Sequence, residues 1–226
     1  IDVPAELLDL EADSQQVRFQ LKGRGRYTYQ CILNGFVPAD QLKSTTADWQ
    51  VKLVDLNVNR LTNDDLRWAD YVMISAMVVH KASVTAIVTR CRRFGTRIIA
   101  GGPLFTTGYA AFPDIDHFVL GEAEELMPQV IEDMRRGTLR HTYTAPDRPD
   151  ITRVPSPRWD LIDLRSYVTM SVQFSRGCPF DCEFCNITAM FGHRPRTKTA
   201  GQMIAELDGL YRRGWRGPIF FVDDNF

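Results

Sequence analysis

Three cysteines lie within eight residues, in the run Ser175-Arg176-Gly177-Cys178-Pro179-Phe180-Asp181-Cys182-Glu183-Phe184-Cys185. Cysteine thiolates hold cubane 4Fe–4S clusters, and full ligation takes four of them. Three thiolates on one short loop, Cys178, Cys182 and Cys185, leave one iron without a protein ligand. An open coordination position is where a metal centre does chemistry. The spacing therefore points to a working 4Fe–4S cluster rather than a structural staple. Gly177 and Pro179 keep such a loop tight and non-helical. The competing reading is zinc, with His193 as a fourth ligand. Zinc sites commonly pair two cysteine clusters across a longer span, and no second pair is present. The other two cysteines, Cys31 and Cys91, are isolated and read as structural thiols.

A ligand loop needs elements to carry it. Residues 168–174 read as a strand running into the cysteines. Thr199 opens a helix that runs to Arg213, with Met203, Ile204, Leu207 and Leu210 on its apolar face and Gly214 at its end. Residues 219–222 form a second strand, leading into Asp223-Asp224-Asn225-Phe226. This is a β-α-β unit. Ligands of parallel sheets bind at the carboxyl ends of strands, so Asp223 and Asp224 are candidate ligand contacts, the alternative being a loop cap. Arg176, Arg194, Arg196 and Lys198 flank the cysteines. They read either as a solvated basic face or as groups that offset cluster charge or meet a carboxylate.

Upstream, short apolar runs alternate with amphipathic stretches. Strands are expected over 51–55, 71–76, 97–100 and 117–120. Helices are expected from Asn63, over 83–94 with Val84, Ile87, Val88 and Cys91 on one face, and over 123–136. Gly95 and Gly137 close the last two. The alternation predicts an α/β fold: a Rossmann-like parallel-sheet domain followed by the β-α-β unit. Ser75, Gly101, Gly102, Gly121 and Glu122 fall at strand carboxyl ends. The plain alternative for Ser75 and the two glycines is turn chemistry. For Glu122 and Glu124 it is the positive end of a helix dipole. His80, His117 and His141 read as structural or exposed. Residues 142–166 hold Pro146, Pro149, Pro155 and Pro157 and read as a semi-rigid linker. Residues 1–48 show no sustained periodicity and are left unassigned, and no internal repeat is visible.

The chain has 226 residues, 44% hydrophobic and 24% charged, with a net charge of −1. This near-neutral balance argues against broad electrostatic binding to nucleic acid or anionic membrane. No apolar run approaches the ~18–20 residues that span a bilayer, and no secretory signal is visible. Clustered cysteines point to a reducing, cytoplasmic setting. Ile1 in place of a methionine, and an end at Phe226 directly after an apolar strand, suggest a piece of a longer protein.

With Phe184 before its last cysteine, the loop resembles the Cys-x3-Cys-x-aromatic-Cys motif of radical S-adenosylmethionine enzymes. Ser175-Arg176-Gly177-Cys178-Pro179, Pro157-Arg158-Trp159-Asp160-Leu161 and Asp223-Asp224-Asn225-Phe226 are similar to the subgroup with an N-terminal cobalamin-binding domain, which includes radical methylases such as hopanoid-modifying enzymes. The resemblance covers roughly residues 49–226. It implies a cobalamin-binding-type domain over 49–141, a linker over 142–166 and the start of a truncated (β/α) barrel over 167–226. It also implies that the open iron binds S-adenosylmethionine, whose reductive cleavage gives a 5′-deoxyadenosyl radical. In the methylases, methylcobalamin then donates a methyl group. Asp223 and Asp224 would correspond to the position that contacts the amino group of S-adenosylmethionine, and Phe184 would lie near its adenine. Ser75, Gly101 and Gly102 would line a pocket for the cobalamin nucleotide tail. The Asp-x-His-x-x-Gly motif that ligates cobalt is absent, so any cobalamin would lack a histidine lower ligand.

The activity expected of the parent is radical C-methylation of a lipid or specialised metabolite, with a small-molecule substrate and an electron donor such as flavodoxin or ferredoxin. The alternatives are a radical rearrangement or cyclisation without cobalamin, and a non-catalytic metal- or cobalamin-binding module. The 226 residues alone are expected to be inactive, because most of the barrel wall is missing.

Overall fold

A computed structural model describes residues 16–22, 26–32 and 51–224, with side chains described from residue 51 onward. Its main sheet has seven strands in the order β3-β1-β2-β4-β5-β6-β7. These are β1 (Gln16–Lys22), β2 (Arg26–Ile32), β3 (Val51–Leu53), β4 (Tyr71–Ser75), β5 (Arg97–Gly101), β6 (His117–Leu120) and β7 (Thr142–Thr144). β1 runs antiparallel to both β2 and β3. From β2 through β7 every neighbouring pair is parallel. The N-terminal segment, unassigned from sequence, thus supplies a hairpin to this sheet. The rest of residues 1–48 lies outside the described residues, as does the side chain of Cys31.

Strand side chains alternate between two faces. Val72, Ile74, Ile98, Ala100 and Phe118 pack on one side against α1 (Asn63–Trp68), α2 (Lys81–Phe94) and α3 (Pro103–Gly108). Tyr71, Met73, Ile99, Val119 and Tyr143 pack on the other against Met127, Val130, Ile131 and Met134 of α4 (Met127–Arg136). Cover on both faces is why all five residues of β4 are buried. Cys91 lies in the first core, fully buried.

Helix ends follow local chemistry. Gly95 (φ 68°) closes α2 and Gly137 (φ 69°) closes α4, both left-handed. Helix α4 starts at Met127, not at residue 123. Residues 123–126 form a turn that points Glu122 and Glu124 inward, toward the arginines described below. Helix α3, not foreseen, opens on Pro103 at its first turn.

The second unit pairs β8 (Met170–Val172) in parallel with β11 (Ile219–Phe221). Between them run β9 (Ser175–Arg176), α5 (Ile187–Phe191), β10 (Arg196–Thr197) and α6 (Ala200–Arg212), with β9 and β10 antiparallel. Thr199 caps α6 in a reciprocal box with Gln202. Its core is Trp159, Met170, Val172, Met203 and Leu210. Ile204 is exposed, contrary to its place on the expected apolar face. Glu206 points inward instead and pairs with Lys198, both buried.

The proline-rich stretch is more than a spacer. Its first residues form β7, Trp159 fills the second core, and Gln202 Nε2 donates to the carbonyls of Ile151 and Val154. The Tyr167 hydroxyl donates to Asp55 Oδ2 at 2.5 Å, tying the second unit to the loop after β3. Burial and the Asp55 carboxylate push that phenol well above its ordinary pKa. Among the described residues, no helix is long and apolar enough to cross a membrane.

Asp65 anchors α1. It closes a capping box with Thr62 (Thr62 N–H to Oδ2, 2.8 Å) and pairs with Lys52. Burial would raise its pKa, but the bonds from Lys52 and Thr62 outweigh burial and hold it below the ordinary value. A depressed carboxyl stabilises the fold above its unfolded pKa and stops doing so as pH falls through its folded pKa. Urea unfolding across a pH series should show stability falling as pH drops below ~3.9. Asp65→Asn should flatten that slope and cost about 1 kcal/mol at neutral pH.

Candidate functional site

The carboxyl ends of β4, β5 and β6 open on a cavity of about 120 Å³, continuous with solvent. Ser75, Gly101, Gly102 and Glu124 line it from the sheet, and Arg176, Phe191 and Asp224 line it from the second unit. The sheet side is built by close backbone approach. Ala76 N–H donates to the Gly101 carbonyl (3.3 Å), and Leu104 N–H to the Ala76 carbonyl (2.9 Å). A Cβ on Gly101 would come within 2.8 Å of the Val119 carbonyl oxygen. Gly102 has φ +87°, and a Cβ there would lie 2.6 Å from Ser75 Oγ. Close approach of the neighbouring strand thus accounts for Gly101 and backbone conformation for Gly102, and their smallness also leaves the cavity wall bare.

A buried ion network joins the two walls. Arg176 Nη1 donates to Glu122 Oε2 at 2.6 Å and lies 2.8 Å from Glu124 Oε1. Arg196 Nη2 donates to Glu122 Oε1 at 2.6 Å, and its Nη1 reaches the Pro149 carbonyl at 2.7 Å. Arg176 Nε donates to Gln173 Oε1 at 2.9 Å. Burial would lower the Arg176 pKa, but Glu124 and Glu122 outweigh it and keep the guanidinium charged. Of the two sequence readings of the flanking arginines, carboxylate contact describes Arg176 and Arg196. Their partners lie 50 or more residues upstream, and the helix-dipole reading of Glu122 and Glu124 hid them. The only sequence signal was two glutamates at a strand's carboxyl end.

Asp223 and Asp224 follow β11 and hold the root of the cysteine loop. Asp223 Oδ1 accepts from Phe174 N–H (2.9 Å), Ser175 N–H and Ser175 Oγ (3.1 Å). Its Oδ2 is buried without a hydrogen-bond partner among the described residues. Asp224 Oδ2 accepts from Gly177 N–H at 3.0 Å. Burial, reinforced by Asp223, raises the Asp224 pKa against the lowering effect of that bond.

Cys178, Cys182 and Cys185 are free thiols on the loop between β9 and α5. Cys178 N–H donates to the Gly192 carbonyl (3.1 Å) and Cys185 N–H to the Cys182 carbonyl (2.9 Å). Cys182 is exposed and the other two are half-buried. Among the described residues, no three His, Cys, Asp or Glu side chains are drawn around one point. The thiols thus share a loop without converging, and His193 is exposed rather than gathered with them. The donor set still suits iron and sulfide: three unbridged thiols, reachable from solvent, on a loop anchored at both ends. Phe184 is 91% exposed and does not line the cavity.

The chain matches no family profile. It is 42% identical over 185 residues to an uncharacterised methyltransferase of Synechocystis sp., a match covering 79% of this chain and 34% of that protein. It is 36% identical over 183 residues to the hopanoid C-2 methylase of Rhodopseudomonas palustris, covering 79% and 35% respectively. Its fold matches that of TsrM, a radical S-adenosylmethionine methyltransferase from Kitasatospora setae, with a TM-score of 0.58 and 17% identity over 85% of this chain and 46% of that one. In sequence the chain is related to proteins described as methyltransferases, a hopanoid C-2 methylase among them. It spans about a third of the length of these two curated relatives. The TsrM match is evidence of fold alone.

For a chain of this kinship, the shape of the cysteine loop is the first thing to perturb. Gly177 has φ +93°, and a Cβ there would lie 2.8 Å from the Arg194 carbonyl oxygen and 3.0 Å from that of Gly192. Gly95 is also left-handed, but a Cβ there meets nothing within 4 Å. Gly95→Ala should cost only the backbone strain, about 1–2 kcal/mol. Gly177→Ala should cost more in urea unfolding and should also raise the rate at which the three thiols react with a disulfide reagent. Equal effects of the two variants would show that the loop root is not tightly held.

Proposed function

We propose that this chain is the front part of a radical S-adenosylmethionine methylase that binds cobalamin. One observation carries the reading: a single cavity is bounded both by the sheet's carboxyl ends and by the root of the cysteine loop. On this reading Cys178, Cys182 and Cys185 hold a 4Fe–4S cluster with one open iron. When bound, the cluster, S-adenosylmethionine and cobalamin supply one-electron chemistry at an unactivated carbon and the methyl group it receives.

The chain's own residues bind, orient and exclude water. Asp223 uses one oxygen to fix the strand end and keeps the other for the amino group of S-adenosylmethionine. Asp224 fixes Gly177 and hence the start of the cysteine loop. Phe184, exposed on that loop, is the candidate to cover the adenine once the cofactor is seated. Ser75, Gly101 and Gly102 leave room along the strand ends for the cobalamin tail. Phe191, Met127 and Val222 give the cavity an apolar lining that keeps water from a reactive centre.

The sheet, extended by β7 to Thr144, is the cobalamin-binding unit. The β8-to-β11 unit is the first β-α-β of the barrel. The hopanoid methylase among the relatives favours a lipid or specialised metabolite as substrate. A small acidic electron donor, such as flavodoxin or ferredoxin, would meet the face where Cys182 is exposed. Free thiols suit a reducing cytoplasm.

Anaerobic reconstitution with iron and sulfide tests the reading. About four irons per chain are expected, with an EPR signal of the reduced cluster that shifts on adding S-adenosylmethionine. Cys182→Ala should lose both the irons and the signal. Zinc in place of iron, or a cluster indifferent to S-adenosylmethionine in the full-length protein, would contradict it.

A further inference from the structure

The cavity wall carries two buried polar atoms with no hydrogen-bond partner among the described residues. Glu124 Oε1 pairs with Arg176 Nη1 at 2.8 Å, but its Oε2 has no partner. Nη2 of Arg176 also lacks one. The two side chains are 7% and 3% exposed, and both residues line the cavity. Glu122 beside them differs, since both its oxygens accept from arginine. Buried polar groups in folded proteins are almost always partnered. A bare acceptor beside a bare donor, facing a cavity, therefore describes the missing partner.

That partner must donate an N–H to Glu124 and accept from the guanidinium. Glu122 and Glu124 already balance Arg176 and Arg196, so a group without net charge disturbs the network least. A flat group also suits the planar guanidinium fork. A primary carboxamide meets all three demands. The ammonium of an amino acid would meet Glu124 only by approaching the guanidinium 2.8 Å from that carboxylate, a like-charge contact that an amide avoids.

We propose that Glu124 and Arg176 form a clamp for one peripheral carboxamide of the corrin ring, with the amide N–H on Glu124 and the amide oxygen on Arg176 Nη2. This rests on the cobalamin reading above and goes further, because it assigns a specificity contact to a named pair.

The test is equilibrium binding of hydroxocobalamin, followed by its visible absorbance, against the set of its monocarboxylic acids. Each acid has one peripheral amide hydrolysed. One acid should bind wild-type protein roughly 10- to 100-fold more weakly than the parent, as expected for a lost hydrogen bond to a charged group. Glu124→Gln, which can donate an N–H to a carboxylate, should erase that discrimination. Glu122→Gln should retain it. The wild-type series needs no variant, so a folding defect cannot mimic the result.

If every acid binds wild type as the parent does, water fills the site and the clamp is wrong. Discrimination that persists in Glu124→Gln also overturns it. So does free methionine binding to wild type and not to Glu124→Gln, which would make the pair an amino-acid site. If wild type retains no corrin at all, it is the cobalamin reading that fails, and the clamp falls with it.

Discussion

The buried guanidinium of Arg176 constrains the rest of the structure. It lies one residue from Gly177 at the root of the cysteine loop, yet its counter-charges, Glu122 and Glu124, belong to the main sheet. A buried charge stripped of its partners costs about 3–5 kcal/mol. The cysteine strand therefore cannot swing away from the sheet without exposing or orphaning charge on both sides. Arg196 doubles the link through the same Glu122 and extends it to the Pro149 carbonyl. Such networks contribute little net stability, since desolvation offsets most of the attraction. Their value here is geometric. They hold the two walls of one cavity in register, which a purely apolar interface, able to slide, would not do.

Asp223 and Asp224 play the matching part within the second unit. They cap the amides of Phe174, Ser175 and Gly177 and so tie the end of β11 to the start of the loop. Cys178 then begins from a backbone held on both sides, by Asp224 through Gly177 and by the Gly192 carbonyl. Beyond Cys178 the restraints thin out, with Cys182 and Phe184 exposed. The loop thus has a root held by hydrogen bonds and an exposed middle.

Much of this was legible in the sequence where one local rule decided the outcome. The runs that became β4, β5 and β6 are apolar on both faces, and Gly95 and Gly137 mark helix ends that only a left-handed residue makes easily. Thr199 marks the start of its helix. The cysteine spacing identifies its loop without reference to any partner. What stayed hidden was set by contacts distant in sequence. Ile204 fits a helical apolar stripe, yet Glu206 takes the interior position because Lys198 is there to meet it. Trp159 looked like part of a spacer because its core partners, Met170 and Leu210, come later in the chain. The Glu122–Arg176 pair, 54 residues apart, leaves no periodic trace.

Arg176 and Phe191, which flank the cysteine loop, line one cavity together with the sheet's strand ends, so that a cluster and a corrin held there would be close neighbours. The most direct measurement is EPR of anaerobic protein carrying both a reduced 4Fe–4S cluster and cob(II)alamin, compared with protein carrying either one alone. Two paramagnets across a shared cavity should broaden or split each other's signals. A spectrum equal to the simple sum of the two single spectra, with both groups shown by content to be bound, would contradict the account.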